Sequence, residues 1–142
     1  MEELIMRLHE GNHSLEVAND GSIHTYDGRG VSDLFTLLQT DPAFLNGALV
    51  ADKVIGKGAA ALMALGGVKS VYTDLISEPA MDLLMESHVQ VSFAKIVNHI
   101  KNRAGDGICP VEELCKDCAT ASECLPLIDN FIAQMRAKTQ TN

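Results

Sequence analysis

The sequence predicts an α/β protein: a three-layer α-β-α sandwich whose mixed sheet is built from a β-hairpin followed by β-α-β-α-β, with a Cys-rich helical segment after it. Three observations carry that prediction. Two alternating runs flank Asn19-Asp20-Gly21, a hairpin signature. Three later apolar runs are separated by stretches of helical period and length. All four cysteines then fall between Cys109 and Cys124. With 142 residues the chain suits one core rather than two. We read residues 1–108 as an α/β core with an N-terminal helix, and 109–142 as a Cys-rich appendix packed on the same domain.

The elements follow in order. Glu2 to Glu10 places Leu4, Ile5 and Leu8 on one side of a short amphipathic helix that ends at Gly11-Asn12. SLEVA and SIHTYDG form the hairpin. Ser32-Asp33 opens a helix with Leu34, Leu37 and Leu38 inward, stopped by Asp41-Pro42. GALVA is a short apolar run, expected as a buried strand. Asp52 is expected to cap a helix from Lys53 to about Leu65, ended by Gly66-Gly67. SVYTDLI is the next strand, and Ser77 caps a helix from Glu78 to Glu86 with Pro79 in its first turn. VQVSF alternates as a last strand. Ile96 to Ile100 is expected as a short helix, Gly105 to Gly107 as a loop, Leu125 to Met135 as a final amphipathic helix, and RAKTQTN as a frayed end.

Composition narrows the function classes. Hydrophobic residues at 46% and charged ones at 21% mark a globular chain. An aromatic share of 4% with no Trp leaves the core to Ala, Val, Leu, Ile and Met. A formal net charge of −8 repels polyanions, so general nucleic-acid binding is disfavoured. The acidic start, MEELIMRLHEG, lacks the basic leader and apolar core of a signal peptide. GAAALMALGG is about half the length that spans a bilayer, so no membrane association is expected. The expectation is a cytoplasmic protein whose thiols stay reduced unless they hold metal or act in redox chemistry.

Asp52 to Lys57 (DKVIGK), Ile76 to Ala80 (ISEPA), Asn102-Arg103 and Cys109-Pro110 together carry a resemblance. Over roughly Leu15 to Glu112 the chain resembles a small, uncharacterised family with a cytidine-deaminase-like fold, a domain of unknown function. The resemblance implies that fold and little about activity. Zinc deaminases place His-x-Glu at one helix start and Pro-Cys-x-x-Cys at the next. Here DKVIGKGAA offers neither His nor Glu, and Ala80 and Leu83 stand where the two Cys would be. Zinc-dependent deamination is therefore not expected.

In an open α/β sheet, ligands sit beyond the carboxyl ends of the parallel strands. Lys53 and Lys57, spaced i, i+4 on the expected helix, would share a face near a helix end that favours anions. A pocket for a small anionic or nucleotide-like ligand is expected, lined by Asp52, Lys53, Lys57, Ser77 and Glu78, with Asn102 and Arg103 joining it. The plain alternative is that Asp52 and Glu78 neutralise the lysines, Ser77 is only a cap, and Gly56 and Gly58 serve packing. An enzyme reading also stands: Lys53 or Lys57 acting with Asp52, Ser77 or Cys109 as acid, base or nucleophile, without metal.

The segment CPVEELCKDCATASEC spaces Cys109, Cys115, Cys118 and Cys124 as C-x5-C-x2-C-x5-C. Four thiolates meet the ligand count for zinc or an iron–sulfur cluster. A disulfide or redox pair, and unligated thiols in a packed tail, are the other readings left open. With metal or redox chemistry there, the segment would serve as a docking module for a protein partner, and a homo-oligomer is equally open.

Overall fold

The computed structural model describes residues 1–28, 31–102 and 104–140. The elements are α1 (Glu2–Glu10), β1 (Leu15–Asn19), β2 (Ser22–Tyr26), α2 (Ser32–Thr40), α3 (Pro42–Leu45), β3 (Leu49–Ile55), α4 (Lys57–Gly66), β4 (Ser70–Ser77), α5 (Glu78–Glu86), β5 (Gln90–Val97), α6 (Pro110–Cys115) and α7 (Ala121–Gln140). The strands form one mixed sheet in the order β2-β1-β3-β4-β5. The β1 strand is antiparallel to both β2 and β3, whereas β3, β4 and β5 run parallel. Asp20 and Gly21 turn the hairpin with φ of 51° and 80°, the left-handed pair that a two-residue turn between twisted strands requires.

Helices cover both faces, giving the expected α-β-α layers. Val50 and Ala51 are neighbours on β3 and point to opposite sides, as the period of a strand demands. Ala51 meets Leu4 and Leu8 of α1 in a small cluster. Val50 enters the main core with Leu62 and Met63 of α4, Leu83 and Leu84 of α5, and Phe35 of α2. Val111 and Cys115 of α6 and Cys124, Ile128 and Ile132 of α7 join that same core. One face of the Cys-rich segment is thus part of the hydrophobic interior.

Three local expectations are corrected. Asp52 does not cap a helix: β3 continues through Asp52, Lys53 and Val54 to Ile55, paired with Thr73, Leu75 and Ile76 of β4, and α4 begins only at Lys57 with Gly56 as its cap. The β-branched pair Val54-Ile55 fits a pleated sheet, and Gly56 is a poor helix former that ends it. Ile96 to Ile100 is not a helix. There β5 extends to Val97, Lys95-Ile96-Val97 pair with Leu75-Ile76-Ser77, and Lys101 bridges to Ile108 beyond it. As Asp41-Pro42 predicts, α2 ends at Thr40, and Pro42 then opens the short α3, since Pro suits a first helical position. Finally, α7 starts at Ala121, before Leu125, carries Pro126 inside it and runs to Gln140. Pro126 forfeits one main-chain bond, which packing of Cys124, Ile128 and Ile132 outweighs.

Candidate functional site

Two helices of the parallel region start beside one another. Ile55 is paired with Ile76, so the chain leaves β3 at Gly56 next to where β4 ends at Ser77. At the α5 mouth Ser77 is fully buried, and its hydroxyl accepts the Ala80 N–H at 3.3 Å. Glu78 is the first residue of α5 and is exposed.

The α4 mouth is occupied from within the chain. Glu112 of α6 is 4% exposed, and its Oε2 accepts the Lys57 main-chain N–H at 2.6 Å. A helix start carries unsatisfied N–H groups and a positive dipole end, and this carboxylate answers both. Among the described residues, Glu112 Oε1 has no hydrogen-bond partner. A Cβ on Gly56 would overlap the same carboxylate, so the close approach requires glycine there. The Lys57 side chain is also buried. Its ammonium donates to the carbonyls of Cys118 at 2.6 Å and Lys116 at 3.2 Å, just past the end of α6.

Lys53 and Lys57 therefore do not share a helical face. Lys53 lies on β3 and donates to Asn12 Oδ1 at 2.6 Å, on the side of α1. Asp52 stands opposite Leu15 and Thr73, and its Oδ1 accepts the Val54 N–H at 3.4 Å. Burial pushes its carboxyl up to about 7, main-chain donors at Val54 and Lys53 pull it back, and the charge of Asp74 adds to the rise. Asp74 itself accepts from Tyr72 Oη and pairs with His9 Nε2, each at 2.7 Å.

Beyond the carboxyl end of β5 lies an open cleft of about 670 Å³, lined by residues 97–101 and 105–108. Its polar groups include Asn98, His99, Lys101 and Asp106. Val97 on its wall is paired with Ser77, which places the cleft beside the α5 mouth. Asn102 shapes the adjoining turn: its Oδ1 accepts the N–H groups of Gly105 at 2.8 Å and Asp106 at 3.3 Å, and its amide donates to Asp106 Oδ1 at 3.1 Å. Arg103 lies outside the described residues. Sequence reading missed Asn98 and His99, which it placed on a helix, and gave Lys101 no role. Glu112 had no local signal at all, since its partner is 55 residues away.

The four cysteines are unbridged. Cys115 and Cys124 are fully buried, and Cys118 is half-buried. Cys115 and Cys124 belong to the main core, and Cys118 packs against it. Burial pushes both the Cys115 and Cys124 thiols up. Cys109 caps the opposite end of α6, six residues and about 9 Å from Cys115 at 1.5 Å per residue. Among the described residues, no three His, Cys, Asp or Glu side chains are disposed to hold an ion. Nor is any described helix long and apolar enough to cross a membrane.

No protein of curated function matches the chain. Among solved structures it is similar to a DUF1893 family protein (TM1506) from Thermotoga maritima, with a TM-score of 0.83 and 22% identity, over 91% of this chain and 87% of that one. That likeness concerns the fold. The sequence profile of the TM1506 domain of unknown function, DUF1893, matches residues 3–132, and the chain belongs to that family.

Proposed function

We propose that this protein binds a small anionic or nucleotide-like ligand at the carboxyl end of its parallel strands, and that it does not catalyse zinc-dependent deamination. The observation that carries the reading is the 670 Å³ cleft beside the α5 mouth, with Lys101, His99 and Asn98 among its lining. Its size falls in the range of small-molecule sites, and its position follows the rule for open α/β sheets. Of the residues named from sequence, Ser77 pairs with Val97 of the cleft wall and Asn102 holds the adjoining turn, whereas neither Ser77 nor Glu78 lines the cleft itself. The α4 mouth is less suited to an anion, because Glu112 already fills it. The rival reading of Lys57 as a catalytic base is disfavoured by the two carbonyls that hold its ammonium. The first helical turns of α4 and α5 carry Lys57-Gly58-Ala59 and Glu78-Pro79-Ala80, with no imidazole or thiolate to ligate zinc.

The test is thermal unfolding of the full chain with inorganic phosphate, AMP and CMP at millimolar concentration. A concentration-dependent rise in Tm that is lost in Lys101→Ala supports the reading. No rise with any of the three probes, or an equal rise in Lys101→Ala, overturns it. Release of ammonia from cytidine or adenosine by zinc-loaded protein at enzyme-like rates would overturn the second half.

A further inference from the structure

The sheet ends on β2 at one side and on β5 at the other. The β2 edge is five residues long. The β5 edge, Gln90–Val97, runs for eight, longer than the common strand of about five or six. Its one partner in the sheet is β4, so its outer row of N–H and C=O groups meets no strand among the described residues. QVSFAKIV has no Pro to break pairing, and Lys95 is its one charged residue. Neither helical layer closes over it. The α1 cluster reaches Tyr72 of β4 and includes no residue of β5, and only Val91 of β5 packs against the main core. Phe93 and Ile96 are left 38% and 41% exposed. A long, apolar, unpaired edge is a template for another extended chain.

Charge selects among the strands that could add there. Across residues 87–105 the sequence holds Lys95, Lys101 and Arg103 and no Asp or Glu, in a chain whose net charge is −8. At physiological salt, charges beyond about 8 Å are largely screened, so those on the strand itself weigh most. Opposite charges on facing strands stabilise a pair, and like charges destabilise it. A second copy would bring another β5 with its own Lys95 and no carboxylate to meet the first. We propose that β5 is a docking edge for an extended acidic segment of another protein, which adds to the five-stranded sheet as one more strand. The main chain of that segment takes up the outer N–H and C=O groups of β5, its alternate apolar side chains cover Phe93 and Ile96, and a carboxylate meets Lys95. This edge is distinct from the small-ligand cleft, with which it shares Val97 alone.

The probe is a fluorescein-labelled peptide of alternating Val and Glu, as long as β5, read by anisotropy against the full chain, with hydrogen exchange on the complex. Saturable binding is expected, with slowed exchange within Gln90–Val97. Affinity should be roughly tenfold weaker in Lys95→Glu, a change at an exposed position whose folding urea unfolding verifies. A Val-Lys peptide, and the Val-Glu peptide N-methylated at every amide, should not bind. No binding of the Val-Glu peptide, equal binding of the Val-Lys peptide, or undiminished binding of the N-methylated one would overturn the proposal. So would sedimentation of the chain alone as a dimer whose Gln90–Val97 amides are protected, since a second copy would then hold the edge.

Discussion

The main-chain N–H of Lys57 is bonded to the Glu112 carboxylate at 2.6 Å, and the Lys57 ammonium reaches the carbonyl of Cys118 at the same distance. One residue at the start of α4 thus grips the α6 segment at both ends. The carboxylate enters from the first turn of α6, and the carbonyls lie just past its last residue.

Glu112→Ala should destabilise the fold by about 1–3 kcal/mol, because it strands a buried helix-start N–H. Glu112→Gln keeps an acceptor there and should cost less. Urea unfolding of the two variants checks the order, and equal losses would show that the hydrogen bond contributes nothing specific.

Gly56→Ala should cost about 1–3 kcal/mol through overlap with Glu112, not through backbone strain, since Gly56 has φ of −97°. The double variant Gly56→Ala/Glu112→Ala should then be less destabilised than the sum of the singles. A double-mutant cycle reads this directly, and strict additivity would place the clash elsewhere.

Ser77→Ala removes the acceptor of the Ala80 N–H and should lower stability by about 1 kcal/mol. Hydrogen exchange localises the effect: protection should fall first at the start of α5, with β5 unaffected.

Asp52 makes stability depend on pH in a defined direction. Its carboxyl titrates at about 7 in the fold and at 3.8 as an ordinary carboxyl, so folding favours the protonated form. Its contribution is fully present below about pH 4 and is lost as pH rises through about 7, with a ceiling of roughly 4 kcal/mol that partial exposure reduces. Asp52→Asn should flatten the fall in Tm between about pH 4 and about pH 7, the span of that titration. A profile identical to wild type would mean that Asp52 is ionised in the fold throughout.

What could be read from local chemistry came out well. Asn19-Asp20-Gly21 turns the hairpin, Ser77 caps α5 with Pro79 in its first turn, and the alternation of strands and helices gives the layers. The two strand errors share one cause. DKVIGK and AKIV are short, and their tendencies are balanced, so pairing to β4 decided their state. Displacing the start of α4 from Lys53 to Lys57 moved Lys53 onto the α1 side and Lys57 into the interior. The proposed pocket moved with them, toward β5.

By itself the chain determined its layers, its hairpin and the α5 cap, because each depends on residues within a few positions of one another. Only the tertiary structure decided that an acid from α6 fills the α4 mouth and that one face of the Cys-rich segment, with Val111, Cys115 and Cys124, packs into the core. Those contacts join residues far apart in sequence, or pair side chains whose facing depends on how two helices pack, and no local pattern of residue types encodes which partner arrives.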